Sequence, residues 1–273
     1  MASTVTPHED MDPSPRVDVF IDDTDLDAST ATITIHQIST AANVEVRNMV
    51  GKSSAGGFAE TDYEPPLGVP ITYRVAQYDS GGAELGFATI ELVTQVDTET
   101  NVAILSDPLA PGNAVKVRME SRFAGSLSRR RPTKVYRAGL RTVALMGMQG
   151  LLEEVSLRCW TDNEADRELF EDVVAETQIL VRTMPNVPLP GVFFAVVPDV
   201  VQQPFDYHQG GTTDVWDITG TEVSRPEIDI IVPVINYQLF IDYVNTAGDG
   251  TYGFAATVWS TYLDALLNPP ASA

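Results

Sequence analysis

Short runs in which apolar and polar residues alternate, rich in β-branched side chains, constrain the fold of this chain more than any other feature. The first of these runs are residues 17–21, 32–36 and 44–47. A period of two places the apolar side chains on one face of a half-buried strand. Glycine and proline clusters separate the runs, so that about seven short strands fit between residues 16 and 96. The pattern predicts a β-sandwich over residues 16–96.

The later part of this segment resembles one particular kind of sandwich. Residues 67–75 have the sequence LGVPITYRV, and YDSGG follows at 78–82. Together they resemble the penultimate strand and hairpin of a fibronectin type III domain. In that fold, a tyrosine at the position of Tyr73 turns its hydroxyl back onto the backbone of the corner. The resemblance implies a fibronectin type III-like domain over residues 16–96, with Tyr73 at the fold corner.

The remaining residues, 97–273, also contain more strand-like than helical patterns. The strand-like runs are 102–105, 115–118, 142–145, 154–160, 179–182, 192–201 and 215–218. A single helix over about 163–177 is predicted, because polar capping residues precede apolar side chains at helical spacing. A second, amphipathic helix is predicted over about 255–267. The chain as a whole is therefore predicted to be mostly β, with two domains, 16–96 and 97–273.

The charge balance argues against several classes of function. The chain has 38 acidic and 17 basic residues, which gives a formal net charge of −21. A protein that clamps nucleic acid needs an excess of lysine and arginine to neutralise the phosphates. One cysteine cannot form an internal disulfide, and three histidines leave little material for a metal site. We expect neither a cofactor nor a metal.

The positive charges are concentrated in one stretch, residues 116–141, which we call the basic belt. It carries nine basic residues and one acidic residue, so the rest of the chain has a net charge near −29. Opposite potentials on one subunit favour head-to-tail association of copies. The predicted subunit interface consists of Lys116, Arg118, Arg129, Arg130, Arg131, Lys134, Arg137 and Arg141. For the arginine run at 129–131, a solvated loop and a contact with nucleic acid remain open alternatives.

The first fifteen residues are rich in proline, acidic and hydroxyl side chains. Such a segment buries little apolar surface, so residues 1–15 are predicted to form a flexible acidic arm. No signal-peptide pattern is visible at this terminus. The longest apolar run, 192–197, is far shorter than the roughly twenty residues that span a membrane. We expect a soluble protein that does not insert into membranes.

Three stretches match parts of known ligand-binding motifs, but each lacks a feature that the complete motif requires. The GKS at 51–53 lacks the earlier glycine of a phosphate-binding loop, and the acidic run at 23–27 lacks the glycine of a calcium loop. The GDGTYG at 248–253 has too few residues after it for a dinucleotide-binding unit. The histidines stand apart in sequence, and no serine lies in a GxSxG elbow. We expect no enzyme activity.

Several stretches together resemble the minor tail proteins of actinobacterial phages with long non-contractile tails. The first is TDYEPPLGVPITYR at 61–74. The others are SDPLAP at 106–111, the run ILVRTMP at 179–185, and the stretch from WDI to EVSRP at 216–226. They occur in the expected order and cover most of residues 16–267. The chain departs from the familiar pattern at its aspartate-rich start and at 248–253.

The resemblance implies a virion structural protein at the tail tip, made in the cytoplasm of a bacterial host. Distal tail proteins of this kind form rings, usually sixfold, that join the tail tube to the baseplate. Their ring-forming domain resembles the tail-tube β-sandwich or split barrel with one packed helix. The implied partners are further copies of the chain, the tail tube protein, the tape measure protein, and the baseplate hub or other minor tail proteins. DNA would only pass through the lumen, where an acidic wall repels it.

A second class of function remains open, a module of the tail tip that binds carbohydrate on the host surface. Such a module would use exposed aromatic side chains. The candidates are Trp160, Trp216 and Trp259. The two classes differ in what the fold should present, because a binding module displays its aromatic residues whereas a ring component buries surface against its neighbours.

Overall fold

The structure is a computed structural model that describes most of the chain up to residue 226. Outside the described residues lie 1, 13, 41, 120–127, 130–132, 139–140, 147–150, 154, 188, 206–210 and 227–273, and only the backbone is described at 88–91, 128–129, 133–138 and 141–146. The described residues fall within one compact unit, Met1–Ile228. The helix predicted over about 255–267 and the motif at 248–253 lie outside the described residues.

Strands dominate the described part of the chain. In the first hundred residues they are β1 (Thr4–His8), β2 (Arg16–Ile21), β3 (Thr32–Ile38), β4 (Asn43–Glu45), β5 (Lys52–Ser53), β6 (Phe58–Asp62), β7 (Ile71–Tyr78) and β8 (Glu84–Thr94). The later strands are β9 (Val102–Ser106), β10 (Ala114–Met119), β11 (Ser128–Arg129), β12 (Thr133–Ala138), β13 (Arg141–Met146), β14 (Leu152–Glu153), β15 (Val155–Thr161), β16 (Ile179–Thr183), β17 (Val192–Pro204) and β18 (Asp214–Val223). The prediction of a mostly β protein is confirmed.

The N-terminal half forms two antiparallel sheets over one apolar core. One sheet has the order β1-β2-β6, and the other has the order β4-β3-β7-β8 with β5 beside β3. Alternate residues of β2 are buried, and they share a core cluster with apolar residues of β3 and β7. The period-two pattern of the sequence is the direct cause, since it gives each strand one apolar face.

The C-terminal half forms a closed antiparallel barrel of six strands. Around the barrel the order is β10-β15-β18-β17-β16-β9. Closure leaves each of these strands with two neighbours, and their inward side chains form a second core cluster. Cys159 and Trp216 lie in this core, opposite one another on β15 and β18.

The one α-helix in the described residues, α1 (Glu164–Val174), follows β15 directly. The Asn163 side chain caps it by accepting a hydrogen bond from the backbone N–H of Asp166 at 2.9 Å. Phe170 and Val173 are fully buried in the barrel core. The helix lies within the predicted range of 163–177, and its cap is at the predicted place.

Two barrel strands, β9 and β16, are buried along their whole length. Alternate residues of β9 belong to different cores: Ala103 and Leu105 to the barrel core, Val102 and Ile104 to the core of the N-terminal sheets. The two cores therefore share a strand. The predicted boundary between two domains at residue 96 stays a prediction.

Part of the predicted flexible arm lies in a sheet. Strand β1 pairs with β2 from Thr4 opposite Phe20 to His8 opposite Arg16. The arm has few apolar residues of its own, but edge pairing supplies backbone hydrogen bonds that the local sequence does not reveal. The His8 Nε2 atom also lies 2.8 Å from Asp18 Oδ2, which fastens the end of β1 to its neighbour.

Candidate functional site

The two N-terminal members of the basic belt lie on barrel strand β10, and each has an acidic partner within the chain. Lys116 Nζ lies 3.2 Å from Glu99 Oε1, and Arg118 donates from Nη2 to Asp162 Oδ1. All four side chains are at least two-fifths exposed. These intrachain pairs reduce the positive potential that the belt shows in the sequence.

The other predicted interface residues of the belt are distributed over three strands and two undescribed positions. Arg129 is in β11, which pairs with β14. Lys134 and Arg137 are in β12, and Arg141 is the first residue of β13. Arg130 and Arg131 lie outside the described residues. The structure thus places Lys134, Arg137 and Arg141 in one hairpin, with Lys116 and Arg118 on the barrel.

The hairpin of β12 and β13 is inserted between two neighbouring barrel strands, β10 and β15. Its strands pair with each other from Thr133 opposite Met146 to Ala138 opposite Arg141. Among the described residues, this hairpin forms a sheet of only two strands. The outer edge of each strand therefore has no strand partner within the described part of the chain.

The three tryptophans singled out in the sequence have different positions. Trp216 is only 3% exposed, donates from Nε1 to Thr161 Oγ1 at 2.9 Å, and has its ring centroid 4.4 Å from that of Phe170. It is a core residue, so the prediction that Trp216 is an exposed aromatic residue for carbohydrate binding is wrong. Trp160 is half-buried and faces the outside of the barrel, while Trp259 lies outside the described residues.

Trp160 lines a groove on the outside of the barrel. The groove has a volume of about 450 Å³. Its lining residues, which define what we call the Trp160 groove, are Glu99, Thr100, Asn101, Val102, Arg118, Met119, Trp160, Phe205 and Thr213. They come from the segment before β9, from β9 and β10, from β15 and from the ends of β17 and β18. The groove therefore depends on barrel closure for its shape.

Hydrogen bonds hold the rim of the Trp160 groove in place. The backbone N–H of Phe205 donates to the Thr213 carbonyl at 3.1 Å, beyond the last paired residues of β17 and β18. The Thr212 hydroxyl donates to the Asp162 carbonyl at 3.2 Å. On the other side, Asn186 Nδ2 donates to Asn101 Oδ1 at 2.6 Å. These bonds hold the backbone at Phe205 and orient the side-chain amide of Asn101.

The comparisons with known proteins give no family for this fold and groove. No protein-family model, no curated protein and no solved structure matches the chain. Function must therefore be argued from the residues and their arrangement.

A buried polar cluster lies between the N-terminal sheets and the barrel, and sequence reasoning missed most of it. The Tyr73 hydroxyl donates to Asp62 Oδ2 at 2.7 Å, and Gln37 Nε2 donates to the same oxygen at 2.7 Å. The sequence predicted that Tyr73 would bind the corner backbone; the acceptor is instead a side-chain carboxylate. Burial, together with the adjacent carboxylate, raises the pKa of Tyr73 well above its usual range.

Arginines surround the neighbouring carboxylate, Glu64. Arg47 donates from Nη2 to Glu64 Oε1, and Arg225 Nη2 lies 2.6 Å from Glu64 Oε2. Arg225 also donates to the Glu45 carbonyl at 2.7 Å. Burial raises the pKa of Glu64, while the two guanidinium groups oppose that rise. The cluster borders a second groove of about 380 Å³, which Asp62, Glu64 and Arg225 help to line.

Arg182 is the most deeply buried charge of the cluster. The side chain is 0% exposed, and burial lowers the pKa of Arg182 to about 10, against the opposing effect of Asp62 and Glu64. It therefore stays protonated at neutral pH. A charged residue on the ILVRT strand was visible in the sequence, but its partners lie far away in the chain.

Neither a metal centre nor a membrane span is found among the described residues. No group of three or more histidine, cysteine, aspartate or glutamate side chains is arranged there to hold a metal ion. No helix in that part of the chain is long and apolar enough to cross a membrane. Cys159 is fully buried, and burial raises its pKa.

Proposed function

We propose that the protein is a structural component of a phage tail tip, forming a ring that joins the tail tube to the baseplate and docks other tail proteins. The observation that carries this proposal is the hairpin of β12 and β13, inserted into a closed barrel with one packed helix. A barrel by itself has no open edges, so an added two-stranded sheet is the part suited to pair with another copy.

Strand pairing between hairpins of successive copies would generate the ring. Such a contact is heterologous, since one edge of a hairpin meets the opposite edge of the next, and it closes into a ring when the rotation allows. Backbone N–H and C=O groups at both edges, which have no strand partner among the described residues, would gain hydrogen bonds on association. Sixfold symmetry is the expectation that follows from the resemblance to distal tail proteins.

Charge supports the same arrangement. The hairpin carries Lys134, Arg137 and Arg141, whereas the chain outside the basic belt has a net charge near −29. Basic segments of one copy would meet acidic surface on the next, which favours encounter in the correct orientation. We propose a non-enzymatic role at the tail tip of the virion, with DNA passing through the lumen only.

The proposal is tested by the mass of the purified protein in solution and by images of the particle. Sedimentation equilibrium at increasing protein concentration should reveal a closed oligomer, expected to contain six copies. A triple charge reversal, Arg129→Glu with Arg130→Glu and Arg131→Glu, should shift the equilibrium to monomers. High salt should also shift the equilibrium towards monomers, because screening weakens contacts between exposed charges.

A matched control carries the same change in net charge elsewhere in the chain. The variant Lys52→Glu with Arg158→Glu and Arg167→Glu should keep the oligomer if the basic belt makes the contact. A wild-type protein that stays monomeric at high concentration, and gains no order beside other tail proteins, would overturn the ring. Equal dissociation of both triple variants would reject the belt as its interface.

A further inference from the structure

The Trp160 groove has the features of a small-ligand site independent of the hairpin. Its volume of about 450 Å³ lies within the roughly 300–1,000 Å³ of ligand pockets. Such pockets combine apolar and aromatic walls with a few fixed polar groups. Here Trp160 and Phe205 supply the aromatic surface, and five of the nine lining residues are polar, Glu99 and Arg118 among them.

Phe205 is the more exposed of the two aromatic residues that line the groove. Its side chain is 72% exposed, the largest exposure among the large apolar residues described. Leaving a phenylalanine in water forgoes a favourable burial, and the backbone bond to Thr213 keeps it at the rim of the groove. The aromatic ring on this anchored backbone offers a flat apolar face to a ligand.

The charges of the groove cancel. Glu99 pairs with Lys116, and Arg118 pairs with Asp162, so two acids and two bases stand together. Neither an anion nor a cation gains a net attraction from such a set. The same groups still offer carboxylate oxygens and guanidinium N–H groups as acceptors and donors. The groove therefore suits a neutral ligand with many hydrogen-bonding groups.

We propose that the Trp160 groove binds a neutral oligosaccharide. A pyranose ring has apolar C–H faces and a rim of hydroxyl groups, which matches aromatic faces beside compensated charged pairs. Phe205 and Trp160 stack against sugar faces, while Glu99, Arg118 and Asn101 bond the hydroxyls. The ion pairs of Glu99 and Arg118 and the hydrogen bond from Asn186 to Asn101 orient these polar side chains before the ligand arrives, which reduces the entropy lost on binding.

The test is isothermal titration calorimetry of the full chain with three neutral tetrasaccharides. These are cellotetraose, maltotetraose and the tetramer of N-acetylglucosamine, with tetragalacturonate as a charged counterpart. At least one neutral sugar should bind with a Kd below about 5 mM, the range of weak single-site binding. Phe205→Ala should weaken that binding about tenfold, and Trp160→Ala should do so at least as strongly.

Two controls keep the result interpretable. Phe87→Ala removes another half-exposed phenylalanine, on β8, and should leave the affinity unchanged. Trp160→Phe retains an aromatic face and should recover part of the affinity, even if Trp160→Ala lowers stability. Absence of binding for all three neutral sugars would overturn the proposal. So would tighter binding of tetragalacturonate, or a loss of affinity equal in Phe87→Ala and Phe205→Ala.

The sugar site and the ring share one residue, Arg118, which belongs to the basic belt and lines the groove. Their tests therefore use variants at other positions. Phe205→Ala should leave the sedimentation behaviour unchanged, because Phe205 is not in the hairpin. The triple charge reversal at 129–131 should leave sugar binding unchanged, because the described lining of the groove comes from β9 and the segment before it, from β10, β15 and the ends of β17 and β18. Failure of either proposal can thus be told from failure of the other.

Discussion

The guanidinium group of Arg182 donates from Nη1 to the carbonyl oxygen of Pro15 at 2.6 Å, joining residues 167 positions apart. Nη2 lies 3.3 Å from Ser14 Oγ. A barrel strand thereby holds the segment that leads into the first long strand of the N-terminal sheets. Both hydrogen-bond partners of Arg182 are neutral groups, a carbonyl and a hydroxyl. The bond to Pro15 fixes the position of the backbone there.

Arg182→Ala should destabilise the protein by about 2–5 kcal/mol, because it leaves a cavity and removes the donor to a buried carbonyl. Urea unfolding followed by circular dichroism measures the loss. Arg182→Met should be less harmful, since it fills the volume without burying a charge. Arg158→Ala, at a half-exposed arginine of β15, should change the free energy of unfolding by less than about 1 kcal/mol. Similar losses in Arg158→Ala and Arg182→Ala would contradict the role of the buried bond.

Tyr73→Phe should cost about 1–3 kcal/mol at neutral pH, because Asp62 loses a buried donor. Urea titrations at several pH values measure this cost. Tyr78→Phe, on the same strand and half-buried, serves as the control and should cost less.

The raised pKa of Tyr73 also predicts a pH dependence. The unfolded chain releases this proton above the usual tyrosine pKa of about 10, whereas the folded protein retains it. The stabilisation is thus complete below pH 10 and is lost as the pH rises towards the folded-state pKa. Above pH 10 the wild-type protein should lose free energy of unfolding faster than Tyr73→Phe, by about 1.4 kcal/mol per pH unit. If the free energies of unfolding of wild type and Tyr73→Phe change with pH in parallel, the pKa of Tyr73 is not raised in the folded protein.

Gly68→Ala should destabilise the fold for two reasons. Gly68 has a φ of +66°, where a side chain is strained, and an added Cβ would lie 2.8 Å from Met184 Cε and 2.9 Å from Pro185 Cδ. We expect a loss of about 2–4 kcal/mol from strain and overpacking together. Gly82→Ala, at φ +79° with no atom within 4 Å of the added Cβ, isolates the strain and should cost about 1–2 kcal/mol. Equal losses measured by thermal unfolding would show that the contact with Met184 and Pro185 is unimportant.

Cys159 should resist thiol reagents in the folded protein. It lies in the barrel core, and burial raises its pKa, so the reactive thiolate forms rarely. Absorbance with Ellman's reagent should show slow labelling that accelerates in denaturant. The double variant Ser156→Cys with Cys159→Ala moves the thiol to an exposed position of the same strand and should label rapidly. Rapid labelling of native wild-type Cys159 would show that the barrel opens readily.

Local patterns were sufficient for many elements of the fold. The alternating runs at 17–21 and 32–36 correspond to β2 and β3, which extend them by one and two residues. The capping signal before residue 164 marks the start of α1. These features depend on side-chain periodicity and on hydrogen bonds between near neighbours, and both can be recognised from a short stretch of consecutive residues.

The position of the tryptophans could not be read in the same way. Trp160 pairs with Val215, and Trp216 pairs with Cys159, so the two rings lie on opposite faces of adjacent strands. Alternation predicts opposite faces, but it does not say which face becomes the interior of a barrel. Only closure of the sheet buries Trp216 and leaves Trp160 in a groove.

The sequence by itself determined a mostly β chain with one capped helix and a basic stretch in an acidic background. Only the tertiary structure decided that β9 and β16 are buried on both faces, that Arg182 reaches Pro15, and that Trp160 and Phe205 line one groove. The physical reason is that periodicity reports the local environment of a strand, whereas burial of a charge or assembly of a groove depends on partners distant in the chain.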